Sequence, residues 1–150
     1  MEGCLDPEGA YLTAKCLIPI INKSGASFIA GPTLGADPIV ASVAAISYLE
    51  KTPISALIVR KESKKHGGKK FVEGPISKDL KVTVVDDTCT TGSSLFHAID
   101  IIESEGCEVV KVLSIMDRMS GGSEECKRRG YDFQSLFIAD KEGNINIAAS

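Results

Sequence analysis

Asp86 and Asp87 are adjacent, and seven residues follow that are mostly small, hydroxylic or glycine: Thr88, Cys89, Thr90, Thr91, Gly92, Ser93 and Ser94. Two neighbouring carboxylates suit the hydroxyls of a sugar, or Mg²⁺. Backbone N–H groups at a helix start, with the macrodipole behind them, suit a phosphate. One short stretch therefore offers partners for a polyol and a phosphate together. The string is neither a Walker loop nor a dinucleotide fingerprint, because both glycine patterns are absent.

A second group lies upstream. Arg60, Lys61, Lys64, Lys65, Lys69 and Lys70 crowd around a single acid, Glu62, with His66, Gly67 and Gly68 among them. The cations can neutralise several phosphate charges. An imidazole can move a proton near neutral pH, and paired glycines permit hinge motion. A third candidate is the Gly- and Pro-containing turn over 31–38. A fourth is Arg118, placed before Gly121 and Gly122, whose planar guanidinium fits a carboxylate in bidentate fashion. Each has an ordinary explanation when taken alone: capping hydroxyls, a solvated charge run, a strand-to-helix turn, a surface arginine. Their occurrence together does not. His97 falls in the middle of a helical pattern and is expected to be structural or exposed.

The elements that must position these groups follow from periodicity. Asp6-Pro7-Glu8 opens a helix with an N-cap acid and a first-turn proline. Leu12, Cys16 and Ile20 give it an apolar face to about residue 22, although Pro19 is expected to kink it or end it near Ile18. Apolar runs over 27–30, 54–60, 82–85, 109–116 and 133–138 read as strands. Helices are expected over 39–49, 93–105 and 123–129. Leu95, Ala98, Ile99 and Ile102 form one apolar face of the second of these. Residues 61–78 read as one long loop. The alternation implies an α/β fold: an open, mostly parallel five-stranded sheet with helices on both faces. In such sheets ligands bind beyond the carboxyl ends of the strands, where all four candidates fall.

The chain has 150 residues, 43% of them hydrophobic, which fits one domain, 1–150, with a single core. Its net charge is −3, and removing the 60–70 run leaves a distinctly acidic remainder. A broad nucleic-acid face is thereby disfavoured, and a small, highly charged anion favoured. No apolar stretch is long enough to span a bilayer, and the first residues lack the basic and apolar parts of a signal peptide. Five cysteines without a paired motif read as reduced thiols, so a cytoplasmic location is expected.

The stretch 82–94 resembles the 5-phosphoribosyl 1-pyrophosphate (PRPP) signature of type I phosphoribosyltransferases. Arg60-Lys61-Glu62-Ser63-Lys64-Lys65-His66-Gly67 resembles the mobile catalytic loop of the orotate branch. The resemblance covers roughly residues 5–138. It implies that Asp86 and Asp87 hold the ribose hydroxyls and that Thr88 to Ser94, Cys89 included, cradle the 5-phosphate. Thr33, Leu34, Gly35, Ala36 and Asp37 would form the pyrophosphate loop. Arg60, Lys61, Lys64 and His66 would contact PRPP, with Lys64 and His66 acting on the leaving group and Thr90 and Arg118 orienting orotate. Mg²⁺ would arrive with PRPP, without a firm protein ligand. A homodimer is implied, with the 61–78 loop reaching the neighbouring subunit. Relatives carry a hood over the base ahead of the core, which this sequence lacks or has in reduced form. The implied reaction forms orotidine 5′-phosphate. A PRPP-binding regulator, or transfer to another base, are the alternatives.

Overall fold

The computed structural model describes residues 2–68 and 70–149. A short helix α1 (Glu2–Leu5) leads into α2 (Pro7–Ser24), and β1 (Phe28–Pro32), α3 (Asp37–Leu49) and β2 (Ser55–Val59) follow. Next come β3 (Val72–Glu73), β4 (Lys81–Cys89), α4 (Ser93–Ser104) and β5 (Glu108–Asp117). The chain closes with α5 (Gly122–Arg128), β6 (Phe133–Ala139) and β7 (Ile145–Ile147).

The sheet has seven strands in the order β3-β2-β1-β4-β5-β6-β7. The five expected strands form its parallel centre. Two short antiparallel strands were not expected and complete the edges. At two and three residues, they are too short to show a period. Strand side chains alternate between two cores. Ile29, Val85 and Leu113 face α2 and α3, whereas Ala30, Val84 and Val112 face α4. The order reverses direction at β1, whose neighbours β2 and β4 lead the chain away on opposite sides. The crevice between the loops after β1 and β4 is thus the switch point where an open α/β sheet takes its ligand.

Two expectations about α2 need correction. Its buried face is Ala14, Leu17, Ile18 and Ile21, while Leu12 is half exposed and Cys16 exposed. The helix also runs through Pro19 to Ser24. Pro19 lies on the solvent side, where water can reach the carbonyl it leaves unpaired, and Ile18 and Ile21 anchor the turns on either side of it. The start is as read: Asp6 caps by accepting from Gly9 N at 2.9 Å, with Pro7 in the first turn.

The acid pair is also differently placed. It does not follow the strand but lies within β4, which continues to Cys89 because β5 continues beside it, pairing Asp86 with Ser114 and Cys89 with Asp117. The 61–78 loop is likewise interrupted. Val72 is buried opposite Val59 in β3, which shortens the free segment.

Candidate active site

Three loops meet at the carboxyl ends of β1, β2 and β4. The first follows β1. Thr33 N donates to Val59 O at 2.9 Å and the Thr33 hydroxyl to Asp37 Oδ2 at 2.8 Å, closing the turn onto the first residue of α3. Gly35 is pressed onto the acid pair. A Cβ there would lie 2.7 Å from Asp87 Oδ1 and 3.1 Å from Asp86 Oδ1, so any side chain would have to displace the carboxylates. Leu34 is exposed and Ala36 fully buried, leaving the backbone of this loop as its ligand-facing part.

Asp86 is almost fully buried, and its Oδ1 accepts from Asp87 N at 2.8 Å; Asp87 Oδ1 in turn accepts from Thr88 N at 2.8 Å. Burial, reinforced by hydrogen bonding and charge from Asp87, pushes the Asp86 carboxyl up to about 7. Beside it across the sheet lie Ser114 and then Ser135. The Ser114 hydroxyl is buried without a hydrogen-bond partner.

Beyond the acids, Thr88, Thr90, Thr91, Gly92, Ser93 and Ser94 line a small cleft of about 70 Å³ together with Asp86. Gly92 caps α4 with φ +85°, a conformation glycine adopts without strain, and its carbonyl accepts from Phe96 N. The loop is backed by Gly122, whose N–H donates to Thr90 O at 3.0 Å. A Cβ on Gly122 would lie 2.6 Å from Cys89 Sγ and 2.8 Å from Gly92 N. Cys89 itself is packed inward, and burial followed by the Asp117 charge pushes its thiol up to about 12. It is therefore an inert filler whose main chain alone can serve a ligand. Arg118 N donates to Cys89 O at 2.9 Å, tying that exposed arginine to the same loop.

The basic loop closes a second, larger cleft of about 890 Å³. Its lining includes Thr33, Arg60, Lys61, Lys64, His66 and Glu73. Lys69 of the basic run lies outside the described residues. Arg60 N donates to Phe71 O at 2.7 Å, forming the stem of the loop. His97 reaches that stem: its Nε2 lies 3.0 Å from Arg60 O, so the ring packs structurally. Thr33 and Gly35, two residues apart, join the basic cleft to the acid pair. Arg118 lines neither cleft.

Glu73, Gly122 and Ser114 belong to this site, and the sequence assigned none of them a place in it. Glu73 left a faint signal as the first acid after the basic run, Gly122 was read only as part of the loop after Arg118, and Ser114 left none. Among the described residues no three His, Cys, Asp or Glu side chains gather as a metal cage. Two adjacent carboxylates, of which Asp86 lines the small cleft, do fit Mg²⁺, which keeps most of its waters and binds through one or two carboxylates and substrate phosphates.

Residues 17–138 match the model of the phosphoribosyl transferase domain. The orotate phosphoribosyltransferase of a Nostoc species is 42% identical over 134 residues, 89% of this chain and 65% of the relative. That of Aquifex aeolicus is 39% identical over 132 residues, 88% of this chain and 72% of the relative. The chain thus spans about two thirds of the length of such relatives. Among solved structures, orotate phosphoribosyltransferase of Mycobacterium tuberculosis in complex with PRPP superposes with a TM-score of 0.76 at 30% identity, covering 89% of this chain and 75% of that one.

Proposed function

The chain belongs to the phosphoribosyl transferase family, and on that premise we propose that it transfers 5-phosphoribosyl from PRPP to orotate, giving orotidine 5′-phosphate and pyrophosphate. The observation that carries this reading is the turn over 33–36. It presses Gly35 on the acid pair while Thr33 lines the basic cleft, so one ligand can hold phosphate, ribose and pyrophosphate in continuous contact.

The Thr88 to Ser94 segment holds the 5-phosphate on backbone N–H groups at the start of α4. Asp86 and Asp87 take the ribose hydroxyls and face the place where Mg²⁺ would be held through them and through water. When bound, the ion neutralises pyrophosphate charge. The bond between the anomeric carbon and pyrophosphate breaks, its electron pair leaving with the pyrophosphate. A ring nitrogen of orotate, its proton released to water, bonds to the cationic sugar. Lys64 and His66 stabilise the departing anion once the loop closes and excludes water, so catalysis rests on positioning and charge stabilisation. Arg118 pairs with the orotate carboxylate, with Thr90 beside it. The same reading includes a homodimer in the cytoplasm, the compartment that five free thiols favour. No helix among the described residues is long and apolar enough to cross a membrane.

The test is to mix protein, Mg²⁺, PRPP and orotate and follow loss of orotate absorbance, with melting curves alongside. Saturation at about 100 times the dissociation constant adds about 2.7 kcal/mol of stability. Orotate consumption supports the proposal. Stabilisation by PRPP without consumption of base points to a PRPP-binding regulator, and absence of both effects rejects the proposal.

A further inference from the structure

The cations expected to meet pyrophosphate already have an anion. Glu73 Oε1 accepts from Lys64 Nζ at 2.7 Å and lies 3.3 Å from the Arg60 guanidinium, so one carboxylate oxygen bridges both. Its position is not accidental to the loop. In β3, Val72 is buried opposite Val59, and Glu73 pairs with Ile58 at the rim of the basic cleft. Lys64 N also donates to Lys70 O at 3.2 Å, which holds the loop folded back toward β3. The Lys64 hydrogen bond, and more weakly Arg60, hold the Glu73 carboxyl below the usual range, so it stays charged at neutral pH.

We infer that Glu73 is the resting counter-ion of the catalytic loop: it holds Arg60 and Lys64 where the pyrophosphate of PRPP must take them over, and so lowers the affinity for that anion. The inference rests on the proposed transferase reading for the identity of the ligand. Pyrophosphate entering the cleft must break both contacts to Glu73 and then lie near an unpaired carboxylate of like charge. Lys64 therefore adds little net affinity for PRPP, because what it gains from pyrophosphate it loses from Glu73. Its contribution is kept for the stage at which leaving-group charge grows. Glu73 acts through these two cations as a positioning residue.

Calorimetric titration with PRPP, and separately with inorganic pyrophosphate, tests this on the parent protein, Glu73→Gln, Lys64→Ala and the double variant. The pairs are partly exposed, so the expected gain in Glu73→Gln is modest, about three- to five-fold tighter binding of both probes at low salt. The gain shrinks as salt rises, and it shrinks again in the Lys64→Ala background. In steady state, Glu73→Gln lowers KM for PRPP without raising kcat. Unchanged or weaker binding in Glu73→Gln, or a gain of equal size with Lys64 removed, overturns the inference. Weaker binding together with a lower melting temperature assigns Glu73 to strand pairing instead. If the parent protein binds neither probe, the transferase reading fails and takes this one with it; if the parent binds and Glu73→Gln does not tighten, only this one fails.

Discussion

Asp86 shows how a single residue can be placed against its own stability. Its carboxyl, buried beside Asp87 and under Gly35, is raised to about 7. Unfolded, an aspartate titrates near about 3.9. The folded state thus holds this proton more tightly, and the contribution of Asp86 to stability is fullest below about pH 4 and declines as pH rises toward 7, by at most about 1.4 kcal/mol per pH unit. Asp86→Asn cannot ionise. It is expected to melt above the parent at pH 8, to lose that advantage at pH 4, and to bind PRPP far more weakly at both. A parent whose melting temperature rises between pH 5 and pH 7 contradicts this. At this scale the sequence was informative wherever chemistry follows from residue type and adjacency, as with Asp86 and Asp87. Ser114 was invisible because a serine in a strand signals nothing until register sets it beside Asp86. Gly122 was legible as a loop glycine after Arg118, but not its packing role, which comes from a neighbour 30 positions earlier, Gly92.

At the scale of elements, α2 and α5 carry separate lessons. Periodicity found α2 and its cap but chose the wrong stripe, since Leu12-Cys16-Ile20 and Leu17-Ile18-Ile21 are both apolar and packing against α3 and β5 decided between them. Proline rules set its end too early, because burial on both sides of Pro19 outweighs one lost hydrogen bond. Pro19→Ala should therefore stabilise the fold by up to about 3 kcal/mol, read as a higher urea midpoint with unchanged turnover. The start of α5 matters for another reason. Gly122→Ala drives a methyl into Cys89, Thr90 and Gly92, and overpacking of this kind costs about 1–3 kcal/mol. Because the phosphate loop is what must yield, the expected result is a raised PRPP dissociation constant with a smaller loss in melting temperature. The reverse proportion would make Gly122 a core residue only.

For the whole molecule, alternation of apolar runs was enough to read five parallel strands and two covered faces, and hence the end of the sheet where a ligand binds. Strand order was not legible, since nothing local distinguishes a chain that turns left at β1 from one that turns right. The charge layout was legible, with an acidic body carrying one basic loop beside the crevice. A polyanion approaching this molecule is repelled by most of it and drawn to one place. The PRPP association rate should fall several-fold between 0.01 M and 0.15 M salt, as the screening length contracts from about 30 to about 8 Å, while dissociation changes less. Stopped-flow traces at the two salt concentrations measure both rates.

The stem that joins Arg60 to Phe71 makes the basic segment a tether fixed at both ends. Its apex at His66 lies six residues from Arg60 and five from Phe71, and five extended residues reach about 17 Å. Whatever the His66 backbone approaches, in this chain or in a second copy, must lie within about that distance of Phe71. The two-residue strand β3 thus does more than finish a sheet: it sets the length of the leash.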